Sequence, residues 1–168
     1  MRFTDLLRGA TLQGDATTLT AASCLKLGRA LGTLTRRRMG APPANARHRV
    51  VVARGDDGKT IAVRDGLVRG LLLSGHDVKD IGTAPSDVFT FALRHFDAAA
   101  GAVVADGDAL SIMFFMGGRP LVGEGLQALG TLADGDELSA GEGTLELVDV
   151  RPYFRARKLA DSQEGEPA

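Results

Sequence analysis

The stretch Ala53-Arg54-Gly55-Asp56-Asp57-Gly58-Lys59-Thr60 contains the residue types that a phosphate-binding loop uses. Gly55 and Gly58 would let backbone N–H groups close around phosphate oxygens, Lys59 supplies a positive charge, and Thr60 supplies a hydroxyl for magnesium. Alanine stands at 53, where the nucleotide-binding pattern has its first glycine. Asp106, after the apolar run Val103-Val104-Ala105, then fits the acidic strand end that supports the metal in nucleotide hydrolases. Asp106 and Asp108 together also suggest a hard-cation site, but two carboxylates leave most of the oxygen ligands unsupplied. His48, His76 and His95 are scattered without ligand spacing and are assigned no metal or catalytic role. Cys24 has no partner for an internal disulfide. Its neighbours Ala22, Leu25 and Leu27 mark it as a small buried hydrophobe rather than a nucleophile.

These side chains must be carried by alternating strands and helices. Thr20 is placed to cap a helix running to about Thr33, whose glycines permit close packing. From Arg36 to Arg49, three consecutive arginines followed by Gly40, Pro42 and Pro43 read as an exposed basic loop. Val50 to Ala53 has the composition of a buried strand, and Ile61 to Leu72 has helical spacing. The strand Val78 to Ile81 is followed by a helix that Pro85 opens and that buries Val88, Phe89, Ala92, Leu93 and Phe96. Gly101 to Ala105 and Ile112 to Met116 are two further strands, and Val122 to Leu132 is another helix. Met113 to Met116 is read as strand core, with an exposed Phe/Met patch as the alternative. Thr144 to Val150 offers a last strand, and Pro152 to Leu159 a last helix. The alternation implies a sheet with helices on its faces. A single domain over residues 1–159 and a disordered polar tail over 160–168 are expected.

With 20 Lys and Arg against 21 Asp and Glu in 168 residues, the formal net charge is −1, which gives no global attraction to nucleic acid or anionic lipid. The basic stretch has no interleaved aromatic residues on which bases could stack, so no nucleic-acid partner is expected. No segment approaches the ~20 apolar residues of a membrane span. With one cysteine and no leader pattern, the expected setting is the cytoplasm.

Read in order, several segments carry a resemblance. These are Leu7-Arg8-Gly9, Gly28-Arg29-Ala30-Leu31-Gly32, and Val52-Ala53-Arg54 with Gly55 inserted before Asp56. Gly66 to Gly70, Gly75-His76-Asp77-Val78-Lys79-Asp80-Ile81-Gly82 and Ala84-Pro85 follow, then Pro120 to Leu129 and Val148-Asp149-Val150-Arg151-Pro152-Tyr153-Phe154. From Arg8 to about Phe154 the chain resembles the first domain of the α-D-phosphohexomutases, the phosphomannomutase/phosphoglucomutase family. The resemblance implies an α/β fold, a three-layer α/β/α sandwich around a mixed sheet. In that family the first domain supplies a phosphoserine from a Thr-Ala-Ser-His-Asn-Pro loop, the second a metal-binding loop, the third sugar recognition and the fourth a phosphate clamp. The sequence ends where the second domain would begin.

Asp106 stands at the position of that serine, and Gly107 and Asp108 stand at the following His and Asn. The family's Asn-Gly-Phe-Lys segment, whose lysine assists proton transfer, is replaced by Ile112-Met113-Phe114-Phe115-Met116. Asp106 is either a neutral replacement or a fixed negative charge imitating part of a phosphoserine. The resemblance therefore implies a retained framework without mutase chemistry. The expected role is a noncatalytic module that binds a protein partner, a second copy of itself, or a phosphorylated ligand such as a phosphosugar. For such a ligand the carried-over positions are Arg8, Arg54, Asp106 and Asp108, the arginines being otherwise ordinary solvated side chains. No cofactor and no resident metal are expected. Magnesium enters only in two alternatives: nucleotide binding through Gly58, Lys59 and Thr60, or a mutase subunit of carbohydrate metabolism acting with other chains.

Overall fold

A computed structural model of the chain describes residues 1–42 and 46–164. After a 3-10 turn, Phe3–Leu6, the elements are β1 (Leu7–Arg8), β2 (Thr11–Gly14), α1 (Ala21–Met39), β3 (Arg49–Arg54), α2 (Lys59–Leu73), β4 (Asp77–Thr83) and α3 (Ser86–His95). They continue as β5 (Ala100–Ala105), β6 (Leu110–Met116), β7 (Arg119–Pro120), α4 (Glu124–Asp134), β8 (Leu145–Leu147) and α5 (Arg151–Glu164). Among the described residues the strands form one mixed sheet in the order β1-β2-β6-β5-β3-β4-β8, with β7 hanging on β6. The β5-β3-β4-β8 portion is parallel, whereas β1, β2, β6 and β7 pair antiparallel.

Strand side chains alternate between the two faces. Val50 and Val52 join the larger core with Leu27, Leu31, Leu67, Leu71 and Leu129, which come from α1, α2 and α4. Val51 and Ala53 join a smaller core with Phe89, Leu93 and Val150, covered by α3 and by Phe154 of α5. The expected three-layer α/β/α sandwich with a mixed sheet is the observed architecture. Phe114 is fully buried in the larger core, and Phe115 packs on Phe89 at 5.0 Å in the smaller one, so Met113 to Met116 is a core strand. Cys24 is fully buried, and burial pushes its thiol up to about 12, as befits an inert core residue.

The N-terminal residues, for which no element was expected, form the β1–β2 hairpin, which extends the sheet beyond β6. Three expectations change. Helix α1 does not stop near Thr33: Arg36, Arg37 and Arg38 form its last turn, where cations oppose the negative end of the helix dipole. It ends at Gly40, whose φ of +77° only glycine adopts readily and whose N–H donates to Arg36 O at 3.0 Å. Pro43 of the expected basic loop lies outside the described residues. Beyond residue 160, where a polar tail was expected, α5 continues to Glu164; residues 165–168 lie outside the described residues. The final strand is also shorter than 144–150. No helix among the described residues is long and apolar enough to cross a membrane.

Candidate functional site

Parallel pairing of β3 with β5 sets Arg54 opposite Val104, so the loops that follow these strands emerge side by side. The Gly55 N–H donates to Val104 O at 2.8 Å, and a Cβ at Gly55 would fall 3.1 Å from Asp106 Oδ1. Glycine thus lets the Asp106 carboxylate lie against the first loop. On the other side β2 ends with Gly14 opposite Leu110, which brings Asp15 to the same edge. The result is a cleft of about 230 Å³ lined by Asp15, Lys59, Asp106, Asp108 and neighbouring backbone. This lies outside the carboxyl ends of parallel strands, the usual position for ligands in open α/β sheets.

Its charge is mostly negative. Asp15 Oδ1 accepts from the N–H and hydroxyl of Thr17 (3.0 and 2.6 Å) and of Thr18 (2.9 and 3.0 Å). The Thr17 hydroxyl is the largest influence holding this carboxyl below its ordinary value. Asp57, beside Asp106, is lowered chiefly by the Lys59 backbone N–H, which donates to Asp57 Oδ1 at 2.8 Å. Lys59 itself is exposed. Among the described residues no three His, Cys, Asp or Glu side chains are grouped to hold a metal ion.

The two candidate arginines are not brought together. Arg54, at the end of β3, donates through Nη1 to Gly55 O at 2.9 Å and to Thr60 Oγ1 at 3.4 Å. Its Nε is buried without a hydrogen-bond partner among the described residues. Arg8 sits on β1, four strand-to-strand steps away in the sheet order, or roughly 19 Å at about 4.8 Å per step. Its guanidinium donates to Asp5 O and Leu7 O at 2.9 and 2.8 Å and lines no part of the cleft.

The segment Ala53 to Thr60 does connect a strand to a helix, as a phosphate loop must, but its geometry is different. Thr60 is fully buried, with its hydroxyl 2.7 Å from Asp57 O and 3.1 Å from Gly55 O. That hydroxyl closes the loop upon itself and is not presented to a magnesium ion. Gly58 is in ordinary helical conformation, φ −57° and ψ −24°, at the start of α2. The nucleotide reading through Gly58, Lys59 and Thr60 therefore loses its metal-binding hydroxyl, and of the three residues only Lys59 lines the cleft.

Sequence reasoning missed Asp15 because β2 is short and half polar, and nothing local announces that it pairs with β6. It also missed a second cleft, of about 420 Å³, at the ends of β4 and β8. There the buried Asp80 accepts from Arg64 Nη1 at 3.0 Å and from the Gly82 N–H at 2.9 Å. Asp149 at its rim is held down to about 2 by the Arg151 side chain, whose Nε donates to it at 2.8 Å.

Residues 4–105 match the family model described as phosphoglucomutase/phosphomannomutase, alpha/beta/alpha domain I. A phosphomannomutase/phosphoglucomutase of Pseudomonas aeruginosa is 29% identical over 145 residues, covering 82% of this chain and 29% of its own length. A phosphoglucomutase/phosphomannomutase of Thermococcus kodakarensis is 38% identical over 88 residues, covering 51% of this chain and 18% of its own. A crystal structure of a phosphoglucomutase/phosphomannomutase family protein from Burkholderia thailandensis superposes with a TM-score of 0.82 at 25% identity, over 96% of this chain and 36% of that one. The chain thus spans less than a third of the length of these two curated relatives.

Proposed function

Because this chain belongs to the phosphoglucomutase/phosphomannomutase family through its α/β/α domain I, we propose that it is a noncatalytic module, one that binds a protein partner or a second copy of itself without isomerising phosphosugars. The observation that carries this reading is Asp106. The family resemblance puts the phosphoryl-carrying serine there, and a mutase cycle needs a hydroxyl that accepts a phosphoryl group from one sugar oxygen and returns it to another. Asp106 instead presents a carboxylate in a cleft already lined by Asp15 and Asp108, with Lys59 as the cation among its lining side chains. An incoming phosphate dianion meets like charge where the reaction must bring it closest.

The deciding experiment is incubation with magnesium and glucose 1,6-bisphosphate carrying a labelled phosphate. No label is expected on the protein, and no interconversion of glucose 1-phosphate or mannose 1-phosphate. A hydroxylamine-labile label that disappears in Asp106→Asn would make Asp106 a phosphoryl acceptor and end the noncatalytic reading. Binding of a phosphorylated ligand without turnover is a second reading. It is favoured by the buried, unpartnered Nε of Arg54, since a buried donor without a partner costs free energy until one arrives. A rise in melting temperature with glucose 1-phosphate, lost in Arg54→Ala, would support it.

A further inference from the structure

The acidic cleft lies where β3 and β5 end; a different surface occupies the opposite end of the sheet. There the last turn of α1, the β6–β7 hairpin and the start of α4 enclose a groove of about 330 Å³. Met39, Met116, Pro120 and Val122 give it an apolar lining, and Arg38 and Arg119 flank it. Met39 is 45% and Val122 49% exposed, so two of the large apolar side chains left in water share this one groove. Arg38 lies across the start of α4: a Cβ on Gly125 would come within 3.2 Å of its Nη1. Among the described residues Arg36, Arg37, Arg38 and Arg119 form no ion pair. Glu124 faces the adjoining crevice beside Arg37 and is the one carboxylate lining it.

The dipole of α1 accounts for arginines in its last turn. It does not account for Arg119, which belongs to a different element, nor for Met39 and Val122 left exposed in the same groove. Methionines suit a surface that must adapt to an incoming chain. A lipid surface is disfavoured because the formal net charge of −1 gives no general attraction to anionic headgroups. Nucleic acid would leave the apolar lining unused and finds no aromatic ring to stack on in this groove. We propose that the groove receives an acidic segment of a partner protein, whose apolar side chain enters between Met39 and Val122 while flanking carboxylates pair with Arg38 and Arg119. This rests on the reading of the chain as a binding module and gives that module a surface and a partner chemistry.

The test is fluorescence anisotropy with the full chain and a labelled probe peptide in which a central Leu-Phe pair is flanked by Glu residues. Its controls are the same peptide with Gly-Ser at the centre, and one with Lys for Glu. The acidic, apolar-centred peptide should bind at least tenfold more tightly than either control. Binding should weaken at least tenfold in Arg38→Glu/Arg119→Glu and in Val122→Asp, and not in Arg157→Glu, far away on α5; melting curves confirm that each variant is folded. Equal binding of both acidic peptides, indifference to Val122→Asp, or no peptide binding overturns the proposal. So does a result in which phosphatidylserine vesicles or duplex DNA, and not the peptide, bind through the same arginines. Each of those outcomes leaves the phosphoryl-labelling result intact. Labelling of Asp106 with normal peptide binding would instead defeat only the noncatalytic reading.

Discussion

His76 has 1% of its surface exposed, stacks on His48 at 6.1 Å and has Nδ1 3.1 Å from the Ser74 hydroxyl. Burial, with help from the charges of His48 and Arg36, brings its pKa down from 6.5 to about 4, against the raising influence of the Ser74 backbone and Asp77. The unfolded chain therefore binds a proton in the window between those values that the folded chain refuses. Stability from this group is complete above pH ~6.5 and is lost as pH falls toward 4, by an amount on the order of 3 kcal/mol. Urea denaturation from pH 7 to pH 4 should show this decline. In His76→Asn, which keeps a polar contact for Ser74 without a titrating ring, the decline should flatten by most of that amount. Equal slopes in the two proteins would mean that the ring protonates inside the fold.

At the scale of elements, α1 and α2 cross in close contact. A Cβ on Gly28 would sit 2.3 Å from Leu67 O, and one on Gly70 would sit 2.1 Å from Leu25 O. Backbone meets backbone there, so no side chain can swing aside. Gly70→Ala should destabilise by about 3 kcal/mol in chemical denaturation, despite alanine's helix propensity. Gly58→Ala, at a helical φ of −57° with nothing within 4 Å of its Cβ, should be neutral or slightly stabilising. Equal effects would mean that helix propensity, not the crossing, governs these glycines. That α1 packs closely was legible in the sequence, because glycines recur along it, whereas its pairing with α2 was not. The hydrophobic runs Val50 to Ala53 and Gly101 to Ala105 likewise announce buried strands. Less legible were features decided by partners far along the chain. Leu7–Arg8 and Thr11–Gly14 are too short to signal strands and exist because β6 offers an edge. Arg36 to Arg38 look like loop residues until the dipole of a long helix makes its last turn a good place for them. The cleft shows the same division: Asp106, Asp108 and Lys59 could be picked out by type, whereas Asp15 joins them only through strand pairing.

Taken whole, the molecule is two unequal cores on one sheet. The larger holds α1, α2 and α4 against residues such as Val52, Val104, Ile112 and Phe114. Among the described residues the smaller has eight buried hydrophobic side chains, and α5 is tied to it mainly by Val150 and by Phe154, whose ring meets Phe91 at 5.6 Å, while Tyr153 lies 5.0 Å from His95. Exposed side chains make up most of α5, so its hold depends on α3 staying in place. Phe89 is the keystone of that face: it is 1% exposed and packs on Phe115 from β6. Truncating a buried phenylalanine costs about 3–5 kcal/mol. If the faces behave as separate cooperative units, that cost in Phe89→Ala falls unevenly. Hydrogen exchange should then accelerate through Ser86–His95 and Arg151–Leu159, while the amides of α1 and α2 keep most of their protection. Phe114→Ala, on the larger face, should instead speed exchange everywhere, because the strands that carry both cores depend on it. Uniform acceleration in both variants would show that the sheet transmits every loss, and that α3 and α5 are no more separable from the fold than α1.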